Sequence, residues 1–444
     1  MRSVSFVDHL KIKVNGKVGQ GCIALGDVDG DGCSELVVAD DGGHVQVFKG
    51  DSTKPCWESS DFGDITCLTI ADLCNEGKNC VAVFTTDGAF SILDFNKSQN
   101  LKCKTHFKFK IVVLKLDAPI IHSDHVIPNI MNVLVSDLDS DQLNELIACH
   151  SDHCVSAYRW NSKHKRFTIL QRWTLRQLVG NISIHVSSDE GVPSIIVSQP
   201  GCSYAVLSIN WNQSEAVKTG PNISESTVTY TPLSRFVHID SSQSRSQNPT
   251  ITCQILGDIT KSSSSPAGYF ALCTLDGTLK LMEEDKILWS LQVDHQLFAL
   301  YKLDILGDNR EEVIVCAWDG QTYIVDHDRN VVRYQFLDNV QAFCAGSFSI
   351  DSKQNRPCFV YSDFHNHVWL YYDVKLPFLK ATDLLTFAES DQEMSRLFLQ
   401  LGATTIEEKR SLLKKCGSTI LDQVKLNSNN DKDLNSQYSK DTWL

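Results

Sequence analysis

The chain has 444 residues, 42% of them hydrophobic and 21% charged, a balance that builds a large folded core and excludes an intrinsically disordered chain. The formal net charge of −13 speaks against general affinity for nucleic acid or anionic membrane, both of which reward surplus Lys and Arg. No stretch approaches the ~20 uninterrupted apolar residues of a membrane-spanning helix.

The amino terminus, MRSVSFVDHLKIKV, alternates apolar and polar residues and lacks the apolar block of a secretory leader. The chain is therefore expected to remain in the cytoplasm, with its 16 Cys reduced and mostly serving as small buried hydrophobes. The first repeating unit runs from Cys22 to Gly50: a strand, an Asp-rich loop, a strand over Glu35 to Ala39, an Asp-Gly turn and a strand over His44 to Phe48. Asp-Gly between apolar runs is a hairpin signal, because the central turn residues need positive φ.

The same order returns along the chain. Asp72 opens a loop followed by Asp87-Gly88, and Asp137 opens one followed by Asp152. Asp258 precedes Asp276-Gly277, and Asp304 precedes Asp319-Gly320. Two weaker copies run from Ile182 to Leu207, turning at Pro200-Gly201, and from Gln341 to Tyr372, turning near Asp363. Seven units spaced roughly 43 to 71 residues apart, built only of short strands and hairpins, predict an all-β seven-bladed propeller. Residues 3–14 are placed to complete the last blade. Polar inserts interrupt the pattern near 96–130 and 212–250, the second expected as a mobile loop, and 102–115 reads as a strand with a lysine-guarded solvent face.

The propeller is expected over 1–375, a short helical segment over 376–417, and a disordered tail over 418–444. Ser390 with Glu393, and Thr405 with Glu408, match capping boxes at helix starts. Gly402 and Gly417 stand where helices commonly end.

The first Asp-rich loop is a candidate calcium site, since that ion takes six to eight oxygen ligands delivered by alternating carboxylates around a sharp turn. Asp27, Asp29 and Asp31 occupy the first, third and fifth positions, Gly32 permits the turn, and the Cys33 carbonyl and Glu35 can complete the set. The third loop offers Asp137, Asp139, Asp141 and Glu145, with Gln142 in place of the glycine; the sixth keeps only Asp304, Asp308 and Glu312. Such aspartates also form turns by bonding their own backbone amides, and that is the preferred reading. No cofactor is required, and Ca2+ in the first loop is the one candidate. Cys149, His150, His153 and Cys154 straddle a hairpin, a poor arrangement for four tetrahedral zinc ligands. His122 with His125, and His365 with His367, are read as loop and edge histidines. Neither a Gly-x-Ser-x-Gly elbow nor a phosphate-cradling Gly-rich loop is present, so the expectation is a non-catalytic protein.

The Asp-x-Asp-x-Asp-Gly loop inside an all-β repeat resembles the FG-GAP (integrin α-type) propeller family. Segments such as LGDVDGDGCSELVVADDGGHVQVFKGD, FALCTLDGTLKLMEE and EVIVCAWDGQTYIVDH look like the members of that family found in the KICSTOR assembly. Glu35 departs from the family pattern, which has Asp at the ninth position. The resemblance implies a scaffold subunit at the lysosomal surface. Its partners would be other KICSTOR-type subunits and the GATOR GTPase-activating complex, and it would restrain mTOR signalling in starvation. The alternative it leaves open is a calcium-dependent ligand-binding or adhesion propeller of the integrin type. Which surface binds partners is not assigned.

Overall fold

The computed structural model describes residues 2–6, 8–95, 120–126, 128–186, 193–207, 209, 235–238, 250–260, 268–351, 353–376, 379, 385, 388–389, 392–403 and 405–415. The chain divides into two compact units, Met1–Leu379 and Lys380–Leu444.

The first unit consists of seven sheets, each a blade. In blades 1 to 6 four antiparallel strands run in chain order from the inner edge outward, blade 6 gains a fifth strand at its outer edge, and blade 7 takes its outer strand from the amino terminus. Blade 1 is typical, with strands Ile23–Gly26, Glu35–Ala39, Val45–Phe48 and Trp57–Ser59. The inner strand of each blade touches the inner strand of the next, and the circuit closes where Val340–Phe348 of blade 7 meets Ile23–Gly26. This is the seven-bladed propeller that the repeat spacing predicts.

The second strands of several blades are apolar through their middles and deeply buried, and the closed ring explains why. Glu35–Ala39, Cys80–Thr85, Glu145–His150 and Glu312–Ala317 are buried along their whole length, because both faces of each blade pack against neighbouring blades. Val37, Val83, Ile147, Ile195, Ala271, Val315 and Phe359 fill the gaps between blades at 0–1% exposure. The cysteines of these strands are free buried thiols, in keeping with their apolar contexts.

Closure comes from the amino terminus, with one difference from expectation. His9–Lys13 supplies the outer strand of blade 7, antiparallel to His367–Tyr371. Ser3 and Val4, expected in the same strand, instead belong to Arg2–Val4, which pairs in parallel with Val331–Gln335 at the outer edge of blade 6. The intervening Phe6 explains the break. Its ring lies against Tyr334 and Phe359, wedged between blades 6 and 7, and a continuous strand could not reach both edges. The ends of the two polar inserts also carry strands: Ile120–His125 and Arg235–His238 are the outer strands of blades 2 and 4. Residues 102–115 and most of 212–250 lie outside the described residues.

In the second unit, helix α1 (Gln392–Gln400) ends in a glycine turn, with Gly402 at φ +76° and the Ala403 amide donating to the Phe398 carbonyl at 2.9 Å. Helix α2 (406–415) opens with the capping box expected from Thr405 and Glu408. Thr405 N–H donates to Glu408 Oε2 at 3.0 Å, and Glu408 N–H donates to Thr405 Oγ1 at 3.3 Å. Ser390, Gly417 and the tail after 417 lie outside the described residues.

Candidate cation sites in the aspartate loops

The Asp-rich loops join the first and second strands of their blades and therefore lie together on one face of the propeller. In each of them the leading aspartate turns back on its own loop. Asp27 accepts the Gly30 and Gly32 amides at 2.7 and 2.8 Å, and Asp72 accepts those of Glu76 and Gly77 at 3.0 and 2.7 Å. Asp137 accepts from Asp141 and Gln142, and Asp304 from Gly307, Asp308 and Asn309. The fifth position caps the next turn: Asp31 accepts the Cys33 amide at 2.9 Å, as Asp141 does for Leu143 and Asp308 for Arg310. The sixth position has positive φ in each, filled by Gly32, Gly77, Gln142 and Asn309.

The ninth position works inward. Glu35 is fully buried and accepts the Val28 amide at 3.0 Å; Glu145 and Glu312 do the same for Leu138 and Ile305 at 2.9 Å. A buried carboxylate needs a positive partner, and in two loops the chain supplies it. Lys49, just beyond the third strand of blade 1, sets its Nζ 2.7 Å from Asp29, 2.6 Å from Asp31 and 2.9 Å from Glu35. Arg159, in strand Cys154–Asn161, sets one guanidinium nitrogen 2.9 Å from Asp139 and another 3.0 Å from Asp141, and it also pairs with Glu145. Both follow their glutamate by 14 residues. Burial and the neighbouring Asp29 push Glu35 up to about 7, although Lys49 and the Val28 amide pull it down. Three carboxylates around one ammonium hold Lys49 protonated against its burial. Arg159 is likewise held protonated by Glu145 and Asp139.

These contacts bear on whether a calcium ion fits. Asp27, Asp29 and Glu35 bring carboxylate oxygens within 4.8 Å of one another, as do Asp137, Asp139 and Glu145, which is the spacing of a cation site. Asp29 and Glu35, however, already pair with Lys49, Asp139 and Glu145 pair with Arg159, and the leading aspartates are engaged with loop amides. A divalent ion at that point would lie beside a fixed positive charge and compete with it for each ligand. With Lys49 and Arg159 in place the donor sets do not fit calcium. A sequence signal for these cations exists: a basic residue in or just after the third strand, 14 residues beyond the buried glutamate.

Other loops of the same frame carry different groups. In blade 2, Cys74 and Cys80 occupy the third and ninth positions, both buried, and Cys80 Sγ donates to the Ala71 carbonyl at 3.3 Å. In blade 6, Leu306 and Asp326 stand where blade 1 has Asp29 and Lys49. Among the described residues no cation faces Glu312 there; burial, with Asp308 and Asp304 nearby, pushes it up to about 7.

The eighth position, which motif reading passed over, ties each loop to its predecessor. Asn79 donates to the Asp27 carbonyl at 3.0 Å, and Asn144 donates to the Asp72 carbonyl at 2.9 Å. Glu311 accepts the amide and the hydroxyl of Thr260, both at 2.9 Å. Across the closing seam, Asn355 accepts the Ser34 amide at 2.8 Å and donates to the Gly32 carbonyl at 3.0 Å.

The histidine and cysteine candidates scatter. Cys149 is core, His150 Nδ1 meets the Pro128 carbonyl at 3.2 Å, Asp152 pairs with Arg172, and Cys154 contacts Thr174 Oγ1. The side chains of His122 and His125 lie outside the described residues. His367 pairs with Asp363 and His365 with Asp338, each at 3.3 Å.

Comparison with known proteins places these features in context. A family model described as integrin-alpha FG-GAP repeat-containing protein 2 matches residues 49–376. The chain is 38% identical over 412 residues to a Mus musculus protein named KICSTOR complex protein ITFG2, covering 90% of this chain and 92% of the mouse protein. It is 39% identical over 405 residues to a Bos taurus protein of the same name, covering 88% of this chain and 75% of the bovine one. Among solved structures, BBS1N in complex with ARL6DN superposes with a TM-score of 0.57 at 13% identity, over 86% of this chain and 99% of that one. That likeness is one of fold.

Proposed function

The chain belongs to the integrin-alpha FG-GAP repeat-containing protein 2 family, and from that membership we propose that it is a non-catalytic scaffold subunit of a KICSTOR-type complex. The observation that carries the reading is identity of 38–39% to proteins named for that complex, sustained over about nine-tenths of this chain. A propeller suits the role, because its hairpin tips, loops and blade edges give broad surfaces on a rigid ring. In this reading the complex recruits the GATOR GTPase-activating complex at the lysosomal surface and restrains mTOR signalling when amino acids or glucose are scarce. No described helix is long and apolar enough to cross a membrane, so placement at the lysosome would come through partners. The rival reading, a calcium-dependent adhesion propeller, is weakened by Lys49 and Arg159 standing among the loop carboxylates.

Affinity purification of the tagged full chain from fed and starved cells tests the proposal. The expected result is co-elution of other KICSTOR-type subunits with GATOR, together with abnormally persistent mTOR signalling in starved cells lacking the chain. Elution of the protein alone, with an intact starvation response in its absence, would overturn it.

A further inference from the structure

The face opposite the Asp-rich loops carries the hairpins between second and third strands and the links between blades. Its hairpin tips present Asp41, Asp87, Asp152, Asp276 and Asp319, while Lys17 and Arg176 are the only lysine and arginine in the described connections there. Between blades 6 and 7 this face opens into a groove of about 580 Å³, lined by Asp294, His295, Gln296, Trp318, Asp319, Asn339 and Phe364.

The groove is apolar in places that water would not favour. Trp318 is 39% exposed and Phe364 49%, and Leu337, on the neighbouring link, is 96% exposed. Trp318 is held by Phe298, whose ring centroid lies 4.5 Å away. Carboxylates rim the apolar patch: Asp319 contacts His295, Asp338 contacts His365, and Asp294 lies on the wall. Neither lysine nor arginine lines it.

We infer that this groove docks a partner segment carrying an arginine flanked by aliphatic side chains. Charge complementarity selects a cation, since the groove and the hairpin tips around it are acidic. The exposed indole selects arginine over lysine, because a planar guanidinium can stack on Trp318 while its N–H groups reach Asp319 or Asp294. The flanking aliphatic groups would cover Leu337 and Phe364, excluding water from the charged contact, which is how a few central residues come to dominate an interface.

The inference deepens the scaffold reading and rests on it. Its test places a photo-cross-linking phenylalanine analogue at position 337 in the full chain and maps the captured residue by mass spectrometry. The expected capture lies within a few residues of an arginine in an aliphatic context on a co-purifying subunit. Trp318→Ala with Asp319→Asn should lower recovery of that subunit about tenfold or more, with the melting temperature held as a check on folding; asparagine keeps the turn. Asp319→Arg should be rescued by Arg→Asp at the captured site. Capture of an acidic or phosphorylated segment or of a second copy, contact abolished by EDTA, absence of a cross-link, or undiminished recovery by folded variants would overturn the inference. If the unmodified chain recovers no KICSTOR-type subunit, the scaffold reading fails; if it recovers them and the variants do too, only the groove fails.

Discussion

A lysine at 5% exposure is stable only where its charge is matched, and Lys49 is matched by three carboxylates within 2.9 Å. Lys49→Met should therefore leave Asp29 and Asp31 repelling the fully buried Glu35, at a cost of about 3–5 kcal/mol. The vacated position would suit a hard cation, so millimolar calcium should restore part of the variant's stability in thermal melts. The unmodified chain should melt at the same temperature in EDTA and in calcium; a fall of several degrees in EDTA would show that an ion is held despite Lys49. Glu312 poses the opposite case, a buried carboxylate with no facing cation among the described residues and a pKa pushed up to about 7. Between the unfolded carboxyl range near ~4.3 and 7, the folded chain binds a proton that the unfolded chain has released. This group's contribution to stability consequently falls as pH rises through that window and is level above it. Glu312→Gln keeps an oxygen for the Ile305 amide and removes the titration. Urea unfolding of variant and parent should give a difference favouring glutamine that grows between pH 5 and 7.5 to about 2 kcal/mol; a pH-independent difference would discount the buried charge.

At the scale of the element, the hairpin glycines are fixed by two constraints at once. Gly320 has φ +85°, and a Cβ built on it would meet the carbonyl oxygens of Phe336 and Asp338 at 2.7 Å. Gly88 and Gly277 meet the corresponding links of their own blades in the same way. Gly320→Val should abolish soluble expression or lower the melting temperature by more than ten degrees, since the strained φ and the backbone collision add. The φ requirement was legible from Asp319-Gly320 between apolar runs, whereas the collision was not, because the colliding carbonyls come from the link to the next blade. The loops divide similarly. Asp27, Asp137 and Asp304 were legible as loop starts from local spacing. Lys49 and Arg159 were passed over because their partners lie a strand and a hairpin away, and strands pair residues whose separation no short motif records. Asn144 is harder still to read, since it bonds Asp72 in another blade and nothing near it in the chain signals the contact.

For the whole molecule, the question is what keeps a ring of separate sheets closed. Blades 1 to 5 are built from consecutive strands; Arg2–Val4 is added at the edge of blade 6, and His9–Lys13 crosses to blade 7 and couples the two ends of the propeller. Alternation in HLKIK made that strand legible, and the need to pair the last blade gave it a place. Its register now assigns work to each side chain. Ile12 opposite Val368 is fully buried in the core shared by blades 7, 1 and 2, while Lys11 lies outward with its Nζ 4.3 Å from the Trp369 ring centroid. Ile12→Asp would put an unpaired carboxylate into that core, and the least disruptive escape is release of the strand. Release exposes the outer edge of His367–Tyr371 and frees the first and last blades to separate, so the loss should exceed that of one buried side chain. Ile12→Asp should accordingly cost more than about 4 kcal/mol and produce early proteolytic cleavage within residues 1–22. Lys11→Ala, which gives up only an exposed cation–π contact, should cost about 0.5–1 kcal/mol. Equal, small losses in both variants, with the amino terminus still resistant to protease, would mean that blade 7 holds the ring without its borrowed strand and that closure resides in the inner strands alone.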